Sequence, residues 1–415
     1  MISAGDTGFV LICAALVFFM TPGLALFYGG LVRRKNVVNT MMSSIFLIGL
    51  SMVLWVLFGY SLSFSGNVGG IIGNLDWFGL NNVGMEAGPY SDTIPNLAFA
   101  VFQMMFAIIT PALITGATAG RMKFKAQVIF MILWSFIVYY PMAHMVWGEG
   151  GFLGSGFLNS VDFAGGNVVH ISSGVSALVL CILLGKRDGY LRRSYRIHNI
   201  PMVAFGACVL LFGWFGFNSG SALAADGLAA HAFMTTAASC GAAIVSWMLI
   251  DMIKDGKPTL VGASTGMVAG LVAITPGAGF VPVWAAVIIG VVVSPLCYFM
   301  ISAAKKKLGY DDALDAFGCH GIGGMWGGIA TGLFALTSIN DAAQWNGLVF
   351  GDTGLFFAQL LSIVITIAVA VVGTLICAGI TRLITPLRVS KRDEQIGLDM
   401  SEHNETAYPS FNGLD

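Results

Sequence analysis

Thr7-Gly-Phe-Val-Leu-Ile-Cys-Ala-Ala-Leu-Val-Phe-Phe-Met-Thr-Pro-Gly-Leu-Ala-Leu-Phe-Tyr-Gly-Gly-Leu31 carries no charged residue, and Arg33, Arg34 and Lys35 follow it at once. A helix needs about 20 mostly apolar residues to cross the hydrocarbon core of a bilayer. This stretch is long enough, and a basic cluster closes one end. Comparable runs recur at about 41–64, 95–119, 126–147, 166–185, 200–220, 231–253, 258–275, 281–304, 317–336 and 354–380, making eleven with the first. The sixth, eighth and tenth are the weakest, being rich in Gly and Ser.

The loops test that count. Arg121, Lys123 and Lys125 follow the third run, and Lys186, Arg187, Arg192, Arg193 and Arg196 the fifth. Lys254 and Lys257 follow the seventh, Lys305, Lys306 and Lys307 the ninth, and Arg382, Arg388, Lys391 and Arg392 the eleventh. All 20 basic residues therefore fall in alternate loops, on one side of the membrane. The positive-inside rule makes that side the cytoplasm. The expectation is an all-α integral membrane protein with the N-terminus outside and the C-terminus inside.

Composition agrees. The 415 residues are 57% hydrophobic and only 10% charged, with a mean hydropathy of +0.83. Soluble domains carry roughly 25% charged residues, so a cytosolic enzyme and a disordered scaffold are excluded. A net charge of −1 offers no field for nucleic acid. The seven cysteines are scattered singly in apolar runs, without a CxxC pair, and read as small packed hydrophobes. The N-terminus lacks the basic start of a signal peptide, so the first run is kept as a helix.

An odd span count suggests an internal repeat plus one helix. Spans 1–5 start outside and spans 6–10 inside, giving two five-helix halves of opposite orientation, as in many transporters. His170 in span 5 and His320 in span 10 occupy matching places, both among glycines. Ionisable groups within spans are costly and default to functional candidates; these two, His144 and Asp162 at the outer start of span 5 are the main ones. Two adjacent imidazoles can share a proton, but a pair of helical histidines can equally be structural. A metal site lacks Cys or carboxylate ligands nearby. His144 suits a hydrogen bond between helices. Asp162 can cap a helix N-terminus, with or without acting on a bound cation through its field. Phe102, Phe106, Trp147 and the run Trp214-Phe-Gly-Phe-Asn-Ser-Gly-Ser221 offer aromatic faces and a hydroxyl that suit a small cation. The loop 65–94 reads as solvated. No nucleotide motif or catalytic triad is present, so no enzyme and no cofactor is expected.

Five stretches carry a resemblance: Pro22-Gly-Leu-Ala-Leu-Phe-Tyr-Gly-Gly30, Ala143-His-Met-Val-Trp-Gly148, Asp162-Phe-Ala-Gly-Gly-Asn-Val-Val-His170, Trp214-Phe-Gly-Phe-Asn218 and Gly318-Cys-His-Gly-Ile-Gly-Gly324. Over essentially its whole length the chain resembles the ammonium transporter (Amt) family of the Amt/Mep/Rh superfamily. The resemblance implies a homotrimer with one pathway per eleven-helix subunit, in the cell membrane. It implies a recruitment site at Phe106, Trp147 and Ser221, a phenylalanine gate at Phe106 and Phe217, paired pore histidines at His170 and His320, and Asp162 beside the recruitment site. The substrate implied is ammonium or ammonia, with methylammonium as an analogue. Residues 1–385 would form the membrane domain, with the eleventh helix outside the repeats, and 386–415 a cytoplasmic regulatory tail. In the family such tails couple subunits, and PII-type signal proteins bind the same face. Asn404 stands where Gly is commoner in the family. The sequon at Asn404 lies on the cytoplasmic side and is not expected to be used, and no fused sensor kinase is expected.

Three other functions remain open at this point. They are a passive ammonia channel like the related Rh proteins, an ammonium receptor signalling through its tail, and a proton-coupled symporter for larger solutes. The aromatic site argues against the first, and the scarcity of polar residues in the spans against the last.

Overall fold

A computed structural model describes residues 1–192 and 195–408; Arg193, counted above among the basic loop residues, lies outside the described residues, as does the end of the expected tail from 409. Among the described residues, eleven helical rods stand where the apolar runs predict. They are α1 (Ala4–Leu31), α2 (Val37–Leu54, a wide turn Trp55–Gly59, then Tyr60–Phe64), α3 (Asn96–Thr118), α4 (Phe124–Trp134, a wide turn Ser135–Tyr139, then Tyr140–Trp147), α5 (Gly166–Leu184), α6 (Ile200–Gly220), α7 (Gly227–Asp255), α8 (Leu260–Ile274), α9 (Val283–Leu308), α10 (Phe317–Gly321, then Ile322–Phe334) and α11 (Gly354–Ile384). Nine are long and apolar enough to cross a bilayer; α8 is shorter, and α10 is diluted by glycine. The two that fall short are among the three weakest runs of the sequence. The chain is a multi-pass membrane protein.

Small residues let the rods approach closely. A Cβ added to Gly206 on α6 would lie 2.3 Å from the backbone nitrogen of Phe27 on α1, and one on Gly290 of α9 would lie 2.1 Å from the carbonyl oxygen of Ser239 on α7. Without water in the hydrocarbon core, association of such helices rests on close packing and hydrogen bonds. Buried indoles supply some of these bonds: Trp55 Nε1 donates to Ala100 O at 3.0 Å and Trp134 Nε1 to Ser176 Oγ at 2.9 Å.

The basic loops converge with the C-terminal tail on one face. The tail contains α12 (Lys391–Ile396) and α13 (Leu398–His403). Arg388 pairs with Glu394 at 2.6 Å, Asn39 N donates to Asp399 at 2.9 Å, and Phe124 N donates to Glu402 at 2.9 Å. Arg121, read from sequence as a loop cation, is fully buried, donating to Gly185 O and Asp311 O. The opposite face carries the 65–94 segment. That segment is more ordered than a solvated loop: it holds the short antiparallel pair β1 (Ala87–Gly88) and β2 (Ser91–Pro95), an exception to the all-helical reading. His144, buried in α4, bonds Ser63 O at the end of α2 at 3.0 Å, the interhelical role expected of it, and its Nε2 lies 3.4 Å from Asn67 Oδ1 in this segment.

Candidate functional site

α5 and α10 have the same local design with opposite orientation in the chain's repeat. Each is preceded by a carboxylate eight positions before its histidine: Asp162 before His170, and Asp312 before His320. Asp162 Oδ1 accepts from the backbone N–H of Gly165 (2.8 Å) and Gly166 (2.6 Å), and Oδ2 from Asn167 (2.7 Å) and Val168 (3.4 Å). Asp312 accepts from Ala316 (3.1 Å) and Phe317 (2.8 Å). Burial leaves the Asp162 carboxyl above its usual range, with the four N–H donors offsetting part of that rise. Both oxygens face donors, so the group acts as a carboxylate. Immediately before each helix the backbone adopts a positive φ, at Gly165 (120°) and Asp315 (60°). Each helix then opens with a wide π-type turn that carries the histidine, Gly166–Ile171 and Phe317–Gly321. Such turns concentrate at functional sites.

Glycines bring the two helices together. A Cβ on Gly174, four residues after His170, would sit 2.2 Å from Gly321 N; one on Gly324, four after His320, would sit 3.0 Å from His170 Cβ. The imidazoles therefore meet, with Nδ1 to Nδ1 at 3.3 Å and ring centroids 5.3 Å apart. With neutral rings, one Nδ1 donates and the other accepts, so the two rings hold opposite tautomers. Trp214 stacks on His170 at 5.3 Å and is fixed by its own bond to Thr275 Oγ1 at 2.9 Å. His170 Nε2 has no hydrogen-bond partner among the described residues.

Around these rings lies a closed slot of about 10 Å³, lined by Leu24, Ile109, Leu113, Val169, Phe217 and Val268 among others. That is room for about one water-sized molecule. Toward the Trp147 end, Phe106 and Phe217 seal it with centroids 4.2 Å apart and planes at 32°. Beyond them opens a cavity of about 150 Å³ lined by Tyr90, Gln103, Phe106, Trp147, Phe163 and Ser221. The structure thus brings Phe106, Trp147 and Ser221 to one cavity, and Phe217 between that cavity and the histidines. Trp147 Nε1 donates to Asp162 O at 2.8 Å, so the loop that caps α5 also orients the indole. Ser221 Oγ donates to Phe217 O at 2.9 Å, leaving its lone pairs to accept. Asp162 itself is not among the cavity's lining residues.

At the tail end a second cavity, about 220 Å³, reaches Cys319 and Asp315 beside His320. Here lie ion pairs that the sequence did not reveal: Arg187 makes a bidentate contact with the buried Asp311 (2.6 and 2.9 Å), and Lys305 pairs with the partly buried Asp315 at 2.6 Å. Asp312 could have been found from the repeat itself, since it stands to His320 as Asp162 stands to His170.

A slot flanked by two vestibules, with an aromatic gate at one end and imidazoles inside, describes a conduit for something very small. The sequence profile of the Ammonium Transporter Family matches residues 8–408. The chain belongs to the ammonium transporter family. It is 52% identical over 406 residues to an ammonium transporter of Bacillus subtilis (strain 168), covering 97% of this chain and 98% of that one. Its fold superposes on the crystal structure of Saccharomyces cerevisiae Mep2 with a TM-score of 0.87 at 37% identity, covering 94% and 88% of the two chains. A chain described as "Sensor Amt Protein" matches at 26% identity with a TM-score of 0.86, covering 96% and 98%. The ammonium transporter fold is thus shared with a protein described as a sensor.

Proposed function

We propose that the chain captures ammonium in the cavity at Phe106, Trp147 and Ser221, deprotonates it near the Phe106–Phe217 gate, and conducts ammonia past His170 and His320. The observation that carries this reading is the sequence of compartments: an aromatic vestibule, a ring-sealed gate, then a slot of about 10 Å³ without a fixed charge. Ammonium and potassium are alike in size, so selection falls on ammonium's N–H donors. Ser221 accepts one, while the Trp147 and Phe106 faces replace lost hydration. The apolar slot then disfavours the charged form, because burial shifts a cation toward deprotonation. Along the imidazole pair a proton can move by donation across the shared Nδ1–Nδ1 contact, reversing both tautomers as it passes.

We place the tail face, where the basic loops gather, in the cytoplasm, with residues 1–385 as the membrane domain and 386–415 as a regulatory tail. A cell-membrane homotrimer and a PII-type partner at the tail face complete the reading. The likeness to a protein described as a sensor supports a second reading, signalling through the tail.

The test is current from reconstituted protein with ammonium, methylammonium and potassium. Ammonium-driven current that vanishes in His170→Ala or His320→Ala supports the relay; unchanged current in both refutes it. Trp147→Leu and Ser221→Ala are expected to admit potassium or lose ammonium preference. Absent current with ammonium-dependent partner binding favours the sensor.

A further inference from the structure

On the tail face, away from the conduit, a cavity of about 600 Å³ lies between the loop after α1, the segment 196–198 and the tail. Four cationic side chains line it (Arg33, Arg34, Lys35 and Arg196) against one carboxylate, Asp399. That carboxylate is already turned to the N-terminus of α2, where Oδ1 accepts from Asn39 N at 2.9 Å. Among the described residues, Arg33, Arg34 and Arg196 have no carboxylate partner. Two of them are instead pinned by aromatic faces: Arg33 over Tyr195 at 4.9 Å and Arg34 over Tyr408 at 5.2 Å. An arginine held by its face keeps its N–H edge available, the arrangement suited to forked recognition of a phosphate.

Tyr408 closes the cavity as a latch. His198 Nδ1 lies 2.9 Å from Val32 O, which only accepts, so Nδ1 carries the proton. In the neutral ring Nε2 then accepts from the Tyr408 hydroxyl at 3.1 Å. Arg34 also donates to Tyr408 O at 3.4 Å, so one guanidinium serves both the latch and the cavity.

We propose that this cavity binds a phosphate-bearing anion, and that its occupant shares Arg34 with the Tyr408 latch, linking anion binding to the seating of the tail. The volume lies within the range of ordinary small-molecule sites, and admits either a soluble phosphate compound or the headgroup of an anionic lipid.

The experiment titrates the detergent-purified full chain by calorimetry with inorganic pyrophosphate, and separately with short-chain phosphatidylglycerol against phosphatidylcholine. Saturable binding of pyrophosphate supports a soluble ligand; binding of phosphatidylglycerol alone supports a lipid headgroup. In either case Arg34→Gln and Arg196→Gln are each expected to weaken binding by about tenfold, the loss of one charge-assisted contact. Lys125→Gln, an exposed cation on the same face outside the cavity, leaves binding unchanged. Thermal unfolding of each variant shows that it is folded. No saturable binding of either probe to the wild-type chain overturns the proposal, as does binding that both arginine substitutions leave unaltered.

Discussion

Asp162→Ala tests whether the carboxylate before α5 is first of all a cap. Three of its four accepted bonds are 2.6–2.8 Å long, and the side chain is buried. A buried donor left without an acceptor costs about 1–3 kcal/mol, more when the lost partner was charged. Alanine strands three well-bonded N–H groups, a loss of about 4 kcal/mol or more, in the class of exceptional substitutions. Asparagine is intermediate: its amide oxygen keeps the Gly165 and Gly166 bonds, while its NH₂ faces the Asn167 and Val168 donors. Since the Val168 contact is 3.4 Å and weak, that loss is about 2 kcal/mol, dominated by Asn167. The order expected is wild type, then Asn, then Ala. A thiol-reactive dye reads it directly, because six of the seven cysteines are buried and become reactive only on unfolding. Methylammonium uptake at a temperature where all three are folded reads the second consequence, since the loop that holds Trp147 shifts with the cap. If Asp162→Ala melts with the wild type, the capping argument is refuted. If both variants melt normally and neither transports, the carboxylate acts on the cation through its field instead.

Three other perturbations separate packing, charge and protonation. Gly174→Ala sets a methyl group 2.2 Å from Gly321 N, so α5 and α10 must part; overpacking of this kind costs about 1–3 kcal/mol and should lower both melting temperature and uptake. Gly241→Ala, whose added Cβ meets nothing within 4 Å, should leave both unharmed. Arg187→Ala strands Asp311, whose side chain is fully buried; removing one partner of a buried pair costs about 3–5 kcal/mol, readable by the same dye assay. For protonation, burial and then neighbouring Asp315 push the Asp312 carboxyl up to about 6. The native state thus holds its proton after the unfolded chain, near 3.8, has lost it. Stability from this group is present below about pH 4, falls as pH rises to about 6, and is flat above. Asp315→Asn removes the neighbouring charge and, because Asn tolerates positive φ, disturbs the backbone little. The decline should shrink in a melting series from pH 4 to 7, and an unchanged decline refutes the coupling.

Alternation of charge made the rods legible in sequence, because the bilayer forbids both unpaired backbone and scattered Lys or Arg. His170 and His320 stood out for the same reason. The tail-side charges did not. Asp311, Asp312 and Asp315 lie within five residues of one another just after three lysines, a composition indistinguishable from a wet loop. Only folding shows that Asp311 belongs to Arg187, over a hundred residues away, and that Arg121 is buried whole. Aromatic pairing was legible only through resemblance: Phe106 and Phe217 come from α3 and α6, and no spacing rule joins them. The order of the 65–94 segment was missed because its partners lie outside it: Asn74 O accepts from Ser61, Asn67 donates to Gly150 O, and Tyr90 donates to Phe64 O.

The repeat also accounts for where charge is permitted. The N-terminus of a helix carries a partial positive charge, and α5 and α10 bring two such termini toward the slot that, in the proposed function, passes ammonium or ammonia. Left bare, each would oppose entry. Asp162 and Asp312 neutralise them through backbone N–H bonds, without offering a carboxylate to the slot itself. The scaffold is symmetric in this respect, and the mouths are not. Beside Asp162 stand a glycine and an indole, which leave an aromatic cavity open with no fixed cation among the described residues of its wall. Beside Asp312 stands Asp315 tied to Lys305, next to the Arg187–Asp311 pair and the Arg388–Glu394 contact of the tail. Aromatic faces therefore line one end, where the proposed function places recognition, and ionic contacts with the tail line the other. A substitution that swaps the two characters, such as Ser221→Lys in the wall of the aromatic cavity, is predicted to stop capture while leaving the tail seated.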